Sequence, residues 1–233
     1  GWWLGAVVLG MVLPVYGQYG PGTGEPNNPY QIWDPNQMNA IGANPGDWGK
    51  CFKLMADIDM SRFTGMQYKI IGYNNYDDNS IPPFTGTFDG NNHKISNLTY
   101  ATTATQNYVG MFGYTQNATI KNFGIENFHI SSRGDFVGGL VGWNDYSGKV
   151  IGCYATGTII GDGCLGGLVG RNSGTINNCY ANSSVSGASC IGGLVGSNQE
   201  GTITACYASG SVSGLYVYCV GGLCGDNFYG TIT

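Results

Sequence analysis

The chain has 233 residues, of which 10% are charged and 41 are glycine, whereas typical domains have roughly a quarter charged residues and about 7% glycine. Nine basic residues and a net charge of −5 cannot build the Lys/Arg surface that phosphate neutralisation demands, so we expect no nucleic-acid binding. This composition suits stacked strands joined by tight turns.

An apolar stretch opens the chain at residues 2–16, shorter than the roughly 20 apolar residues of a spanning helix. It ends in Val15, Tyr16 and Gly17, a small-x-small pattern like that of a signal-peptidase site. We predict that residues 1–17 are a truncated export signal, with a membrane anchor as the less favoured alternative. The mature chain is then secreted or displayed at the cell surface, with no membrane segment.

Residues 18–105 form a lead-in that differs from the rest of the chain. Asp34 and Pro35 predict the N-cap and first turn of a short helix that ends before Gly42. Alternating apolar residues from position 52 to 58 predict one strand. We expect an N-terminal capping segment, because the terminal units of solenoids are usually atypical.

A tandem repeat occupies residues 106–233. The signature Gly-Leu-Val-Gly stands at residues 139–142, 167–170 and 193–196, with variants at 110–113 and 222–225. Successive signatures begin 29, 28, 26 and 29 residues apart, and each period holds three short apolar segments bounded by Gly, Ser or Asn. This pattern predicts an all-β, right-handed parallel β-helix of three-strand coils, about 28 residues each, truncated at its C-terminus.

Equivalent positions of stacked coils face the same environment, so the repeats predict columns of side chains. Three columns should face the interior: Ile120, Val150, Ile176 and Ile203; Phe123, Cys153, Cys179 and Cys206; Ile125, Ala155, Ala181 and Ala208. An asparagine ladder should satisfy a turn by hydrogen bonding along the stack, and its members are Asn144, Asn172, Asn198 and Asn227.

Strand alternation turns a row of tyrosines outward, namely Tyr154, Tyr180 and Tyr207. Such a row could stack against the sugar rings of an extracellular polysaccharide or against a surface protein. The alternative is that neighbouring aromatic residues only stabilise their own sheet.

A second cysteine column also faces outward and consists of Cys164, Cys190 and Cys219. Adjacent coils place their Cα atoms about 4.8 Å apart, within the span of a disulfide, and export would supply an oxidising compartment. Our hypothesis is one bridge, from Cys190 to either neighbour. The inner cysteines are interpreted as buried small hydrophobic residues.

Residues for catalysis are sparse. Asp57 and Asp59 would place two carboxylates on one side of a strand, as a calcium or hydrolase site requires, but a solvent-facing strand explains them as well. From 172 to 199 the repeats contain no acidic residue, and Arg133 and Arg171 are interpreted as isolated. We therefore expect no catalytic residues, no metal and no cofactor.

With these motifs in view, the chain resembles bacterial GLUG-motif repeat proteins, named for the Gly-Leu-Val-Gly signature. The resemblance implies an adhesin-like surface protein or an accessory region of an IgA-specific metallopeptidase. The peptidase chemistry does not carry over, because its zinc site needs two His one helical turn apart. His93 and His129, the two histidines of the sequence, lack that spacing.

The sequence therefore favours a non-enzymatic, secreted or cell-surface repeat protein that serves as a structural stalk, an adhesin or a component of an extracellular matrix or filament. End-to-end self-association through open coil edges is a further expectation. The alternative is the non-catalytic N-terminal region of a larger secreted peptidase or polysaccharide-active enzyme.

Overall fold

The computed structural model describes residues 18–73, 82–214 and 219–233. Within these ranges the chain is all-β apart from one short α-helix and one 3-10 turn. Its strands pair in parallel across successive turns of the chain, as in a β-solenoid. The predicted fold class is confirmed, and the predicted export signal at residues 1–17 lies outside the described residues.

The lead-in already belongs to the parallel stack. Its elements are β1 (Tyr30–Ile32), α1 (Pro35–Ala43), a 3-10 turn (Pro45–Asp47), β2 (Cys51–Leu54), β3 (Ile58–Asp59), β4 (Thr87–Asp89), β5 (Lys94–Ser96) and β6 (Thr99–Ala101). Phe52 of β2 pairs with Phe88 of β4, and Phe88 pairs in turn with Ile120 in the repeats. The buried phenylalanines of the lead-in therefore continue the interior column of the repeats.

Helix α1 forms where the sequence predicts it. The Asp34 carboxylate accepts the backbone N–H groups of Asn36 at 2.8 Å and Gln37 at 3.0 Å, which caps the first turn. The helix passes through Gly42 instead of ending before it, and a Cβ there would lie 1.8 Å from the Lys69 carbonyl oxygen. The glycine thus serves close packing. No helix in the described ranges is long and apolar enough to cross a membrane.

The single strand predicted from position 52 to 58 is wrong. The chain bends after Leu54, so that β2 and β3 join two different sheets. Phe52 pairs with Phe88, whereas Ile58 pairs with Ile95. The apolar alternation spans a corner of the solenoid because side chains on both sides of that corner point into the same core.

The repeats supply the remaining strands. Their bounds are β7 (Phe112–Thr115), β8 (Thr119–Lys121), β9 (Gly124–Ser132), β10 (Val137–Gly138), β11 (Val141–Asn144), β12 (Lys149–Ile151), β13 (Tyr154–Gly161), β14 (Leu165–Gly166), β15 (Val169–Asn172), β16 (Thr175–Asn177), β17 (Tyr180–Ala181), β18 (Ser184–Gly187), β19 (Cys190–Gly192), β20 (Val195–Gln199), β21 (Thr202–Thr204), β22 (Tyr207–Ala208), β23 (Val212–Gly214), β24 (Cys219–Gly221), β25 (Cys224–Phe228) and β26 (Thr231–Ile232).

These strands build four parallel sheets along the solenoid. Sheet 1 has the order β1-β2-β4-β8-β12-β16-β21-β26, and sheet 2 contains β22-β17-β13-β9-β5-β3 together with β6, β18 and β23. Sheet 3 is β10-β14-β19-β24, and sheet 4 is β25-β20-β15-β11-β7. Each sheet therefore takes one strand or strand pair from each successive coil, which leaves a single core between the sheets.

One detail differs from the prediction of three strands per coil. The coil that begins with β10 has four, because the signature itself is divided between β10 and β11. Gly139 and Leu140 form the bend, and the Leu140 side chain is fully buried. The apolar run of the sequence hides this bend because both of its halves face the core.

The predicted interior columns are confirmed by the register of the strands. Val150 pairs with Ile120 on one side and with Ile176 on the other, and Ile176 pairs with Ile203. Ala155 pairs with Ile125 and Ala181 in the same way. The side chains from Ile120 to Ile203 in the first column and from Ile125 to Ala181 in the second are at most 1% exposed. Apolar burial along these columns is the main stabilising contribution of the repeat.

The asparagine ladder is also confirmed. The Nδ2 atom of Asn144 donates to Oδ1 of Asn172 at 2.8 Å, and Asn172 donates to Asn198 at the same distance. Asn198 donates to Asn227 at 2.7 Å. Each Nδ2 also donates to a glycine carbonyl in its own turn. Polar side chains buried to this degree require such partners, so the ladder fixes the turn of every coil it crosses.

Unequal repeat lengths are accommodated in the turns and by a bulge in one strand. The turn between β11 and β12 has four residues, 145–148, whereas the turn between β15 and β16 has two, 173–174. This accounts for the difference between the 28- and 26-residue periods. In β9, Asn127 has no paired residue in β13, because Glu126 pairs with Thr156 and Phe128 with the next residue, Gly157. A bulge there preserves the pairing on both sides.

The first glycine of the signature offers a matched test of coil stacking. A Cβ at Gly167 would lie 2.2 Å from the Gly193 carbonyl oxygen, whereas a Cβ at the equivalent Gly222 would have no neighbour within 4 Å. We expect Gly167→Ala to lower the free energy of unfolding by about 1–3 kcal/mol and Gly222→Ala to change it by less than about 0.5 kcal/mol. Urea denaturation followed by circular dichroism measures both, and equal effects would contradict this packing.

Candidate functional surfaces

The predicted tyrosine row lies on the outward side of sheet 2. Tyr154 and Tyr180 have ring centroids 5.0 Å apart with an interplanar angle of 3°, and Tyr180 and Tyr207 follow at 5.1 Å and 5°. Tyr207 is 57% exposed. The outward orientation predicted from strand alternation is confirmed, and the rings form a continuous parallel stack.

This stack limits what the row can bind. A Cβ at Gly124 would lie 1.9 Å from the Tyr154 ring, so that ring rests on the glycine, while its other face meets Tyr180. Tyr180 in turn has Tyr154 on one face and Tyr207 on the other. Gly124 and Tyr180 thus cover both faces of the Tyr154 ring, and two tyrosines cover both faces of the Tyr180 ring. Tyr154 and Tyr180 offer edges and hydroxyl groups.

A chain of polar contacts continues from the row into the lead-in. The Tyr154 hydroxyl donates to Oε1 of Glu126 at 2.7 Å, and Lys94 Nζ lies 3.0 Å from Oε2 of the same carboxylate. The hydrogen bond from Tyr154, followed by that from Lys94, lowers the pKa of Glu126. Burial, followed by the bond to Glu126, raises the pKa of Tyr154. The sequence did not predict these contacts, because Lys94, Glu126 and Tyr154 lie in three different coils.

The paired aspartates of the lead-in each have their own partners. Asp57 accepts the Lys94 backbone N–H at 3.1 Å and lies 3.1 Å from His93 Nδ1. Asp59 accepts from Asn97 Nδ2 at 2.9 Å. These hydrogen bonds lower the pKa of both carboxyl groups. No group of three or more His, Cys, Asp or Glu residues within the described ranges is arranged to hold a metal ion.

A second surface feature, which we call the outer groove, runs along the corner between sheets 3 and 4. One wall holds Tyr108, Phe136, Cys164, Cys190 and Cys219, and the other holds Tyr114, Trp143, Arg171, Ser197 and Asp226. The last glycine of the signature brings the walls together. A Cβ at Gly142 would lie 2.7 Å from the Tyr108 backbone, and one at Gly170 would lie 2.5 Å from that of Phe136.

The aromatic part of the groove is closely packed. Tyr108 stacks with Phe136 at 5.6 Å and with Trp143 at 5.7 Å. The Arg171 guanidinium lies 4.5 Å above the Trp143 ring and 5.2 Å from that of Phe136, in the range of cation–π attraction. It also donates to Gln199. A pocket of about 310 Å³ in this part of the groove is lined by Asn107, Tyr108, Asp135, Phe136, Trp143 and Arg171.

Arg171 is therefore not isolated, contrary to the sequence interpretation. Its neighbours come from the coils before and after it, and the signal that could have found the aromatic ones is positional. Arg171 follows Gly170 as Trp143 follows Gly142 and Tyr114 follows Gly113. Equivalent positions of adjacent coils lie side by side, so this column predicts the guanidinium beside the indole.

The cysteine part of the groove continues the same wall. Cys190 and Cys219 are Cα partners, and Cys164 precedes Leu165, whose partner Ile191 follows Cys190. All three side chains are half-buried free thiols. Burial raises the pKa of the Cys164 and Cys190 thiols. The predicted column is present, and the disulfide stays a prediction.

Loss of the Tyr154 hydroxyl should weaken the response of stability to acid. Because the folded pKa of Glu126 is lowered, its contribution is present above the unfolded pKa of about 4.3 and is lost as pH falls through the folded value. Tyr154→Phe should therefore lose less stability than the parent chain between about pH 6 and about pH 3. Thermal unfolding across this range measures the effect.

Tyr180→Phe is the matched control, because it keeps the stacked ring and leaves the Tyr154–Glu126 bond intact. It should retain the acid response of the parent chain. Identical acid responses in Tyr154→Phe and the parent chain would show that the Tyr154 hydroxyl does not stabilise the Glu126 charge.

Comparison with known proteins agrees with this architecture. The GLUG motif matches residues 137–160, 161–186 and 187–213. Halomucin of Haloquadratum walsbyi (strain DSM 16790 / HBSQ001) is 34% identical over 157 residues, which are 65% of this chain and 2% of halomucin. A crystal structure of a proposed immunoglobulin A1 protease from Bacteroides ovatus matches with a TM-score of 0.72 at 24% identity, covering 93% of this chain and 70% of that one.

These matches differ in what they establish. At 24% identity the Bacteroides ovatus structure shows a shared fold, and this chain spans a small fraction of halomucin. The motif matches are the specific ones, because each matched segment contains one Gly-Leu-Val-Gly signature. A bacterial source stays a prediction. The chain is therefore a repeat protein that carries the GLUG motif three times, at residues 137–213, in consecutive coils of a parallel β-solenoid.

Proposed function

We propose that this chain is a non-enzymatic part of a secreted or cell-surface repeat protein, which acts as a structural stalk, an adhesin or a component of an extracellular matrix or filament. One observation carries the proposal: the residues that recur contact their own counterparts in the next coil. Asn172 bonds to Asn198 and Asn144, and Tyr180 stacks on Tyr154 and Tyr207. Side chains used in this way hold coils together.

The geometry of the stack suits a rod that bears load. Successive coils lie about 4.8 Å apart along the axis, and backbone hydrogen bonds of four sheets cross each interface between coils of the repeats. Tension along the axis is thereby shared among many parallel bonds. Length can grow by adding coils, because each coil contacts only its neighbours.

The distribution of charge supports a non-enzymatic role. Residues 137–213 contain five charged side chains, and the ion pairs formed by described residues all involve the lead-in or the first repeat. Glycoside hydrolysis uses a carboxyl group with a raised pKa as its acid. Each described carboxyl group with a resolved shift instead has a lowered pKa, namely Asp57, Asp59, Asp89 and Glu126.

A second candidate function follows from the Bacteroides ovatus likeness. In that case the chain is the non-catalytic N-terminal region of a larger secreted peptidase or polysaccharide-active enzyme, and the solenoid positions a separate catalytic domain. A proposed immunoglobulin A1 protease that shares the fold favours this candidate over other enzyme classes. In both candidates residues 137–213 act as a scaffold. In the first the scaffold belongs to a surface or matrix structure, and in the second it positions a catalytic domain.

The adhesive form of the proposal also has a candidate contact surface. An extracellular polysaccharide or a surface protein would meet the outward edges and hydroxyl groups of Tyr154, Tyr180 and Tyr207. End-to-end association would instead use strand edges at the end of the stack. Tyr207→Ala should then weaken binding on a glycan array more than Tyr180→Phe, which retains the stacked ring.

The test is an in-frame deletion of residues 137–213 from the full-length gene in the producing cells. We expect antibody raised against residues 18–233 to label intact, unpermeabilised cells or their medium. The deletion should reduce surface adhesion or matrix yield and leave the hydrolysis of immunoglobulin A1 and of acidic polysaccharides unchanged. The matched control is the deletion strain in which residues 137–213 have been put back into the gene.

Three results would contradict the proposal. Labelling that requires permeabilised cells would contradict the location. A deletion that abolishes hydrolysis while adhesion persists would favour the accessory role in an enzyme. Turnover by the purified 233-residue chain itself would overturn the non-enzymatic assignment.

A further inference from the structure

The outer groove brings three thiols into one line. Cys190 and Cys219 are Cα partners on adjacent parallel strands, and Cys164 takes the same position one coil earlier, before the Leu165–Ile191 pair. Parallel neighbours of this kind are about 4.8 Å apart. A disulfide accepts Cα separations of about 4.4–6.8 Å, so the Cα spacing from Cys190 to either neighbour lies within the range that a bridge tolerates.

The middle position makes Cys190 indispensable for any bridge. Cys164 and Cys219 lie two coils apart, which is about 9.6 Å by the same spacing and beyond the limit of about 7 Å. One bridge therefore uses two of the three cysteines and leaves one terminal thiol.

We propose that this column is an oxidative modification site, at which Cys190 forms a disulfide with Cys164 or Cys219 by exchange with a small-molecule disulfide such as oxidised glutathione. The Cys190 thiolate attacks one sulfur of the glutathione disulfide, forming a mixed disulfide and releasing one glutathione. The neighbouring thiol loses its proton and attacks the Cys190 sulfur, which releases the second glutathione. Two protein thiols are oxidised to one disulfide, and one glutathione disulfide is reduced to two thiols.

The remaining thiol gives the site a second property. It lies beside one end of the new bridge and can attack the Cys190 sulfur, which transfers the bridge from one neighbour to the other without an external oxidant. The bridge therefore joins Cys190 to either adjacent coil. In each position it ties together two coils that are otherwise held by hydrogen bonds and packing.

The inner cysteines provide a contrast within the same fold. Cys153, Cys179 and Cys206 also stack coil upon coil, but their sulfur atoms are engaged with the backbone. Cys179 Sγ accepts the Cys153 N–H at 3.4 Å and donates to the Asn177 carbonyl at 3.2 Å. Its interaction with Cys153, together with burial, raises its pKa to about 12. A thiol that is buried and bonded to the backbone in this way is not accessible to a small-molecule disulfide in the folded chain.

The test treats the folded, reduced 233-residue chain with oxidised glutathione near pH 8.5. Free thiols are then blocked with iodoacetamide, and peptic peptides are analysed by mass spectrometry without reduction. We expect peptides joined through Cys190 to Cys164 or Cys219. Cys164→Ser should direct the bridge to Cys219, and Cys219→Ser should direct it to Cys164. Cys153→Ser is the matched control and should leave the bridge unchanged.

Cys190→Ser should abolish bridging in the outer column. If this variant fails to fold by circular dichroism, the double variant Cys164→Ser/Cys219→Ser replaces it, because Cys190 then lacks both neighbours and should form no bridge. The proposal is overturned by absence of a Cys190-linked peptide in the parent chain. A bridge that joins Cys164 to Cys219, or one confined to the inner cysteines, overturns it equally.

Discussion

In-register parallel pairing between coils is the constraint on which the structure depends. Each coil is held by hydrogen bonds to the coils before and after it, and a parallel register places equivalent residues side by side. A side chain that fits at one level must therefore fit beside its counterpart. This explains why the repeats reuse Ile or Val in one interior column and Ala in another.

The same constraint shapes the surface. Tyrosines placed at one outward position stack on each other, and asparagines at a turn position bond to each other. The last glycine of the signature lets two outward columns meet as a groove. Side chains occupied in this way hold successive coils together.

Sequence comparison between repeats predicted the columns correctly because the repeats themselves report which positions share an environment. It failed where residues act in a single coil or across a corner. The bend between β2 and β3 was missed because Phe52 and Ile58 face one core from two sheets. The bend at Gly139 divides the signature for the same reason.

Contacts between residues at non-equivalent repeat positions were also beyond the sequence. Glu126 bonds to Tyr154, whereas a repeat pattern predicts contacts only between equivalent positions. The tyrosine row shows a related limit. Alternation gave its outward direction, whereas the covered ring faces follow from the stacking distance and from the close approach of Tyr154 to Gly124. The three-dimensional register was needed for both.

Recurring residues stabilise the chain by pairing with their counterparts in the next coil. Asn172 is buried between two ladder partners, whereas Asn227 is exposed and has one such partner. The free energy of unfolding of Asn172→Ala and Asn227→Ala, measured by urea denaturation, tests the claim directly. We expect the free energy of unfolding to fall by about 1–3 kcal/mol for Asn172→Ala and by less than about 1 kcal/mol for Asn227→Ala. Equal losses at the two positions would contradict it.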